Sequence, residues 1–205
     1  METVVAVVIV GILAAIAIAS SYEPDRLALA QDQIVRHIRY TQHLSVMDDK
    51  FDPQDPNWRL RKWRLRFGHH ANPIYVGGLP NGWSYTIFAD KDPEASTAPS
   101  ISEIALDPHT KLLLSGGFND SLKTSDRRAT PEMALWHWRV KELQFTGCNQ
   151  IIGFDEMGRP YNMSNSASGT TSKILTTTCK ITLKDENDDT ASVCVEPETG
   201  WTHEC

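Results

Sequence analysis

Met1-Glu2-Thr3 leads into Val4-Val-Ala-Val-Val-Ile-Val-Gly11-Ile-Leu-Ala-Ala-Ile-Ala-Ile-Ala19. No charged side chain interrupts residues 4–19, so a helix built from them is apolar on every side. Such a helix belongs in a membrane or a wholly buried core. At 1.5 Å per residue it spans about 24 Å, somewhat less than the ~30 Å hydrocarbon layer. A cleaved secretory signal is a poor reading, because neither a basic n-region nor a small-residue cleavage site accompanies the run. Glu2 stands directly before it. Residues 1–24 are therefore read as a hydrophobic, membrane-directed segment and residues 25–205 as a globular head.

Beyond Pro24 the pattern changes. Leu27, Ala30 or Gln31, Ile34, Ile38, Thr41 and Ser45 recur at helical spacing, with Asp32, Arg36, Arg39 and Gln42 between them. This predicts an amphipathic helix from about Asp25 to Met47 that buries one stripe against a sheet. Proline is tolerated if a new helical turn starts there and otherwise kinks the rod. Asp48-Asp49 and Phe51-Asp-Pro-Gln-Asp-Pro56 end the helix. The period then becomes two. Strands are predicted over Trp58–Phe67 and Trp83–Ala89, the latter introduced by the turn Pro80-Asn-Gly82. Loops are predicted over 90–100 and 119–131, and a short strand at Leu112–Leu114. Further strands are predicted near 143–145, 150–154, 174–183 and 190–196. The whole is α+β: a long N-terminal helix packed on an antiparallel β-sheet head.

The four cysteines, Cys148, Cys179, Cys194 and Cys205, all lie in the last third. No two stand close together as zinc ligands usually do. An even number behind a membrane-directing segment points to two disulfides in an oxidising compartment. Three pairings exist. The strand layout favours Cys148–Cys179 with Cys194–Cys205. Pro197-Glu-Thr-Gly200 turns the chain back alongside Cys194, and the strand carrying Cys179 is expected to pair with the strand after Cys148. The rival joins Cys179 to Cys194 across a hairpin at 185–189 and leaves Cys148 to reach Cys205.

Glu2-Thr3 followed by the apolar run, above all Gly11-Ile-Leu-Ala-Ala-Ile-Ala-Ile18, closely resembles the N-terminus of type IV pilins and type II secretion pseudopilins. Ile152-Gly-Phe-Asp-Glu-Met-Gly-Arg-Pro160 and Val193-Cys-Val-Glu-Pro-Glu-Thr-Gly200 resemble the strand-and-turn motifs of the GspH/FimT-type minor pilins of that family. Met157-Gly158 and Thr199-Gly200 supply turn positions that accept positive φ. The sequence departs from the family at the front. The family's basic leader, cleavage glycine and aromatic-initiated stretch do not precede Glu2, and Ala19 stands where the family usually has proline. The resemblance implies that these leading residues belong to a longer precursor. It also implies an inner-membrane single-pass protein with its head in the periplasm, processed by a prepilin peptidase. Handled by an assembly machinery, it would enter an extracellular or periplasmic filament of like subunits. Glu2 would meet the N-terminal amine of a neighbouring subunit.

Nothing in the sequence carries enzymatic chemistry: it has no phosphate loop, nucleophile elbow, HExxH or dinucleotide fingerprint. His69-His70, beside Asn72-Pro73, read as a solvated turn, and His137, between Trp136 and Trp138, as part of a half-buried strand. Asp185, Asn187, Asp189 and Glu196 match several calcium-ligand spacings, but Thr190 replaces the required glycine and a strand follows. A solvated hairpin turn is thus the better reading and calcium the lesser one. Arg59, Arg61, Arg64 and Arg66, interleaved with Trp58 and Trp63, could serve phosphates and bases. Alternation is expected to divide them between two sheet faces, and the chain's net charge is −6. The sequence therefore favours a structural pilin or pseudopilin. The alternative is a minor or tip subunit whose head binds DNA or a surface. No enzyme and no cofactor is expected.

Overall fold

The computed structural model describes residues 25–55, 58–70, 82–91, 99–117, 127–166 and 169–205. The apolar run within 1–24, with Glu2, lies outside the described residues. So do the turn at 80–81, parts of the loops at 90–100 and 119–131, and the side chains of Arg59 and His70.

Helix α1 spans Arg26–Met47. It starts where the sequence places it, because Asp25 caps it: the carboxylate accepts from the amides of Leu27 (3.0 Å) and Ala28 (3.1 Å), supplying partners for otherwise orphaned donors. Its buried side chains are Leu27, Ala30, Gln33, Ile34, Val35, Ile38, Thr41 and Ser45, the predicted stripe widened by one position on either side. Among the described residues no helix is long and apolar enough to cross a membrane.

Among the described residues nine strands follow: β1 (Trp63–His70), β2 (Gly82–Ala89), β3 (Val140–Thr146), β4 (Ile151–Phe154), β5 (Pro160–Ser166), β6 (Gly169–Ile174), β7 (Cys179–Asp185), β8 (Thr190–Val195) and β9 (Thr202–Glu204). They form two antiparallel sheets, ordered β2-β1-β4-β5-β6 and β3-β7-β8-β9. The molecule is thus α+β. Helix α1 lies across both sheets, touching β1 and β4 of the first and β7, β8 and β9 of the second. Beside it the sheets meet in an aromatic seam, with Phe67 5.4 Å from both Tyr85 and Phe145, and Trp83 6.2 Å from Phe145. One core joins Ile34 and Ile38 of the helix to Leu65, Ile87 and Ile152 of the first sheet and Ile181, Val193 and Val195 of the second.

Several boundaries differ from the sequence reading. Trp58–Leu60 is a 3-10 turn, and the strand begins at Trp63 and runs on through His69 and His70. These two histidines therefore end a strand instead of forming a turn. His137 sits in a 3-10 turn, Leu135–Trp138, not in a strand. Leu113 makes only single bridges, to Leu106 and Ala129. The predicted strand 174–183 is divided: β6 ends at Ile174 and β7 begins at Cys179.

Candidate functional site

Two disulfides close the second sheet, Cys148–Cys179 and Cys194–Cys205. This is the favoured pairing, but the first bond arises differently from the expectation. β4 pairs with β1 and β5, not with the strand of Cys179. Cys148 instead follows β3, whose last pair is Thr146 with Lys180, so it lands next to Cys179 at the same end of the sheet. The rival bond is barred by the pleat. Cys179 stands opposite Val195 and Lys180 opposite Cys194, so Cys179 and Cys194 point to opposite faces.

The basic segment does not form one row. Arg64 is fully buried. It donates from Nε to the Lys62 carbonyl (3.3 Å) and from Nη2 to the Leu60 carbonyl. Its guanidinium lies 3.8 Å from Asp90 Oδ2 and 5.1 Å from the Phe88 ring centre. Burial pushes its pKa down to about 10, which still leaves it charged at neutral pH. Arg61 pairs with Asp55 at 3.0 Å. Arg66 is half-buried, its pKa lowered by burial. Arg64 and Arg66 are two apart on β1 and share a face, as alternation requires, whereas Arg59 and Arg61 precede the strand, so the expected strand alternation does not extend to them. An interior Arg64 cannot reach a phosphate. Lys62, the remaining cation of that basic segment, is also buried, its ammonium held between Trp58 (4.6 Å) and Tyr161 (4.9 Å).

The acidic loop is the β7–β8 hairpin turn. Asp185 Oδ1 accepts from the amides of Asn187 (2.8 Å) and Asp189 (2.9 Å), an Asx-type closure of the turn. Asp188 bridges Lys141 (2.5 Å) and Lys184 (2.9 Å), which hold its carboxyl down at about 2. Glu196 lies past the other end of β8, where it receives the Thr178 hydroxyl and faces His203. The spacing that suggested calcium therefore does not gather these groups. Among the described residues no cluster of three or more His, Cys, Asp or Glu side chains could hold a metal ion. His69 is exposed and packs edge-on to Trp83, centroids 5.2 Å apart.

The two turn motifs converge on α1. Gly158 (φ +77°) and Gly200 (φ +65°) both take left-handed backbone. Gln42 Nε2 donates to the carbonyls of Gly158 (2.8 Å) and Thr199 (2.9 Å), tying the β4–β5 and β8–β9 turns to one side chain of the helix. Asp155 tightens the first turn, accepting from the amides of Met157 (3.0 Å) and Arg159 (2.8 Å) and pairing with Arg159 Nε at 2.7 Å. Met157 and Trp201, beside these glycines, are 72% and 58% exposed. On the other flank of the helix a polar chain is buried: Gln33 Nε2 donates to the Tyr85 hydroxyl, which lies 2.8 Å from His37 Nδ1. No sequence signal marked Gln42, Gln33 or His37, since each reads as an ordinary helix-surface residue. A groove of about 940 Å³ opens between the start of α1, Trp138-Arg139 and the 185–192 hairpin. Its lining mixes acids and bases with no nucleophile–base pair. No family model, curated protein or solved structure matches this chain.

Proposed function

We propose that the chain is a filament subunit of the type IV pilin or type II secretion pseudopilin class, polymerising through its N-terminal segment. The observation that carries the reading is a junction. The apolar run behind Glu2 leads directly into a capped amphipathic helix whose buried stripe lies on an antiparallel, disulfide-stapled head. In this reading residues 1–24 and α1 form the two parts of a long pilin-type helix, jointed at Pro24-Asp25. Asp25 has ψ 97°, outside the helical region, and caps the second part. The protein waits in the inner membrane with its head in the periplasm, is processed by a prepilin peptidase, and joins its neighbours in the filament. It acts as a structural part, not as an enzyme.

Glu2 is the assembly residue. An unpaired carboxylate in hydrocarbon is costly, and a neighbour's terminal amine relieves that cost. In cells that assemble the filament, Glu2→Ala leaves protein in the membrane and blocks its entry into filaments. Filaments isolated from cells expressing the variant decide the matter, and normal incorporation refutes the proposal. Burial of Arg64 takes one of the four arginines out of reach of a phosphate, and the structural-subunit reading is preferred to a DNA-capturing tip subunit.

A further inference from the structure

The C-terminal strand β9 has three residues and forms the edge of its sheet. It is fastened at three points. Arg39 of α1 donates to the Thr202 carbonyl from Nε (3.0 Å) and Nη2 (2.7 Å). The Cys194–Cys205 disulfide holds the far end. Between them, His203 Nε2 lies 3.0 Å from Glu196 Oε1 and Nδ1 lies 2.8 Å from the Glu204 carbonyl.

Both partners of the ring are acceptors. A carboxylate and a backbone carbonyl have no proton to give, and a neutral imidazole has only one N–H. Only the imidazolium satisfies both contacts at once. The Trp201 indole lies flat on the same ring, centroids 4.0 Å apart and planes 21° apart, and such a π-face attracts a cation. Thr178 Oγ1 donates to the other oxygen of Glu196 at 2.8 Å and holds the carboxylate in place. Among the described residues the opposing charge is Arg39, which reaches the strand from α1.

We propose that His203 is a proton-operated latch on the C-terminal strand. Charged, it clamps β9 to the end of β8. Deprotonated, it leaves one acceptor facing a bare ring nitrogen, and β9 loosens while the disulfide keeps it tethered. Arginine and disulfide do not titrate near neutrality, so the histidine alone makes the fastening pH-dependent. The Glu196 hydrogen bond and the Glu204 carbonyl raise the pKa of His203, against desolvation and Arg39. For a raised pKa, the clamp is fully present below the ordinary histidine value and is lost as pH rises through the folded one.

The test uses the full chain in detergent micelles. The His203 ring is titrated by NMR, and amide exchange is followed at Glu196, bonded to the Trp201 carbonyl, and at Cys205, bonded to the Ser192 carbonyl. We expect both ring nitrogens to carry protons at pH 6 and the titration to fall above the ordinary value. Protection of the two amides, corrected for intrinsic rate, falls roughly two- to fivefold across that titration, the range of an exposed ion pair. Asp185, at the opposite hairpin, keeps its protection. His203→Gln holds the low protection at every pH, and Glu196→Gln lowers the midpoint. A His203 midpoint at or below the ordinary value overturns the proposal, as does unchanged protection of the two amides through the titration. The wild-type titration decides even if a variant fails to fold.

Discussion

The carbonyl oxygen of Gly158 lies 2.7 Å from the position a Cβ on Gly200 would occupy, so the two turn glycines are packed backbone to backbone beneath Gln42. The same Cβ would stand 3.0 Å from the Phe154 ring. Left-handed φ at Gly200 adds a conformational penalty for any L side chain. Gly200→Ala therefore costs about 2–4 kcal/mol, combining strain with overpacking against a carbonyl that cannot swing away. Denaturant unfolding measures it, and a loss below about 1 kcal/mol would show that the turns can separate.

Those glycines also show how far the sequence can be read. Met157-Gly158 and Thr199-Gly200 were legible because positive φ selects glycine, and α1 was legible because its apolar period matches its buried stripe. The partner of both turns, Gln42, was not, because no local pattern says which helix surface a distant turn will meet. Trp58-Arg-Leu-Arg61 and Trp63-Arg-Leu-Arg66 have the same sequence, yet the first contains a 3-10 turn and the second is a strand. Only the second is paired, with β2 and β4, so tertiary contacts override identical local preference. β5 and β6 were missed for a related reason. Their polar runs Tyr161-Asn-Met-Ser-Asn-Ser166 and Gly169-Thr-Thr-Ser-Lys-Ile174 lack a continuous apolar alternation, and they are strands because they pair with β4 and with each other. The candidate site divides similarly. The Cys194–Cys205 bond was legible from the turn at 197–200, whereas the strand pairing that brings Cys148 to Cys179 and the burial of Arg64 were not.

Arg64 and Asp90 form an interior pair whose partners are only 0% and 7% exposed. Removing one member leaves a buried charge behind, so Arg64→Ala destabilises by about 3–5 kcal/mol. Replacing both, as Arg64→Met with Asp90→Asn, recovers much of that loss. A double-mutant cycle in denaturant tests the coupling. Additive single losses would mean that the two side chains act independently.

The two disulfides close loops of unequal length, with sequence separations of 31 and 11. Chain entropy then assigns about 4 kcal/mol to Cys148–Cys179 and about 3 kcal/mol to Cys194–Cys205. Serine replacement of each pair in turn should lower thermal stability in that order. Loss of the second pair additionally frees the C-terminal strand, visible as faster amide exchange at Glu196, whose amide bonds the Trp201 carbonyl, with the β3–β7 amides unchanged. The reverse order of stability would show that the C-terminal strand, not loop closure, dominates.

His37 gives the fold an acid sensitivity opposite in sign to that of His203. Gln33 donates to the Tyr85 oxygen, so the Tyr85 hydroxyl proton is free to point at His37 Nδ1. That bond fixes the neutral tautomer with its proton on Nε2. Protonating Nδ1 would aim two donors at one another on this half-buried ring. Desolvation, aided by Arg36 and opposed by Asp107, lowers its pKa from 6.5 to about 4. A depressed value means that the folded state resists the proton while the unfolded chain accepts it. Stability is therefore full above pH 6.5 and falls as pH drops toward 4. The gap corresponds to about 3 kcal/mol. His37→Gln keeps an acceptor for the Tyr85 hydroxyl and cannot titrate. Between pH 7 and pH 4, the advantage of the native chain over this variant should shrink by about 3 kcal/mol in paired denaturant titrations, a comparison in which the carboxylates common to both chains cancel. An advantage that stays constant over that range would mean that His37 takes up its proton within the fold.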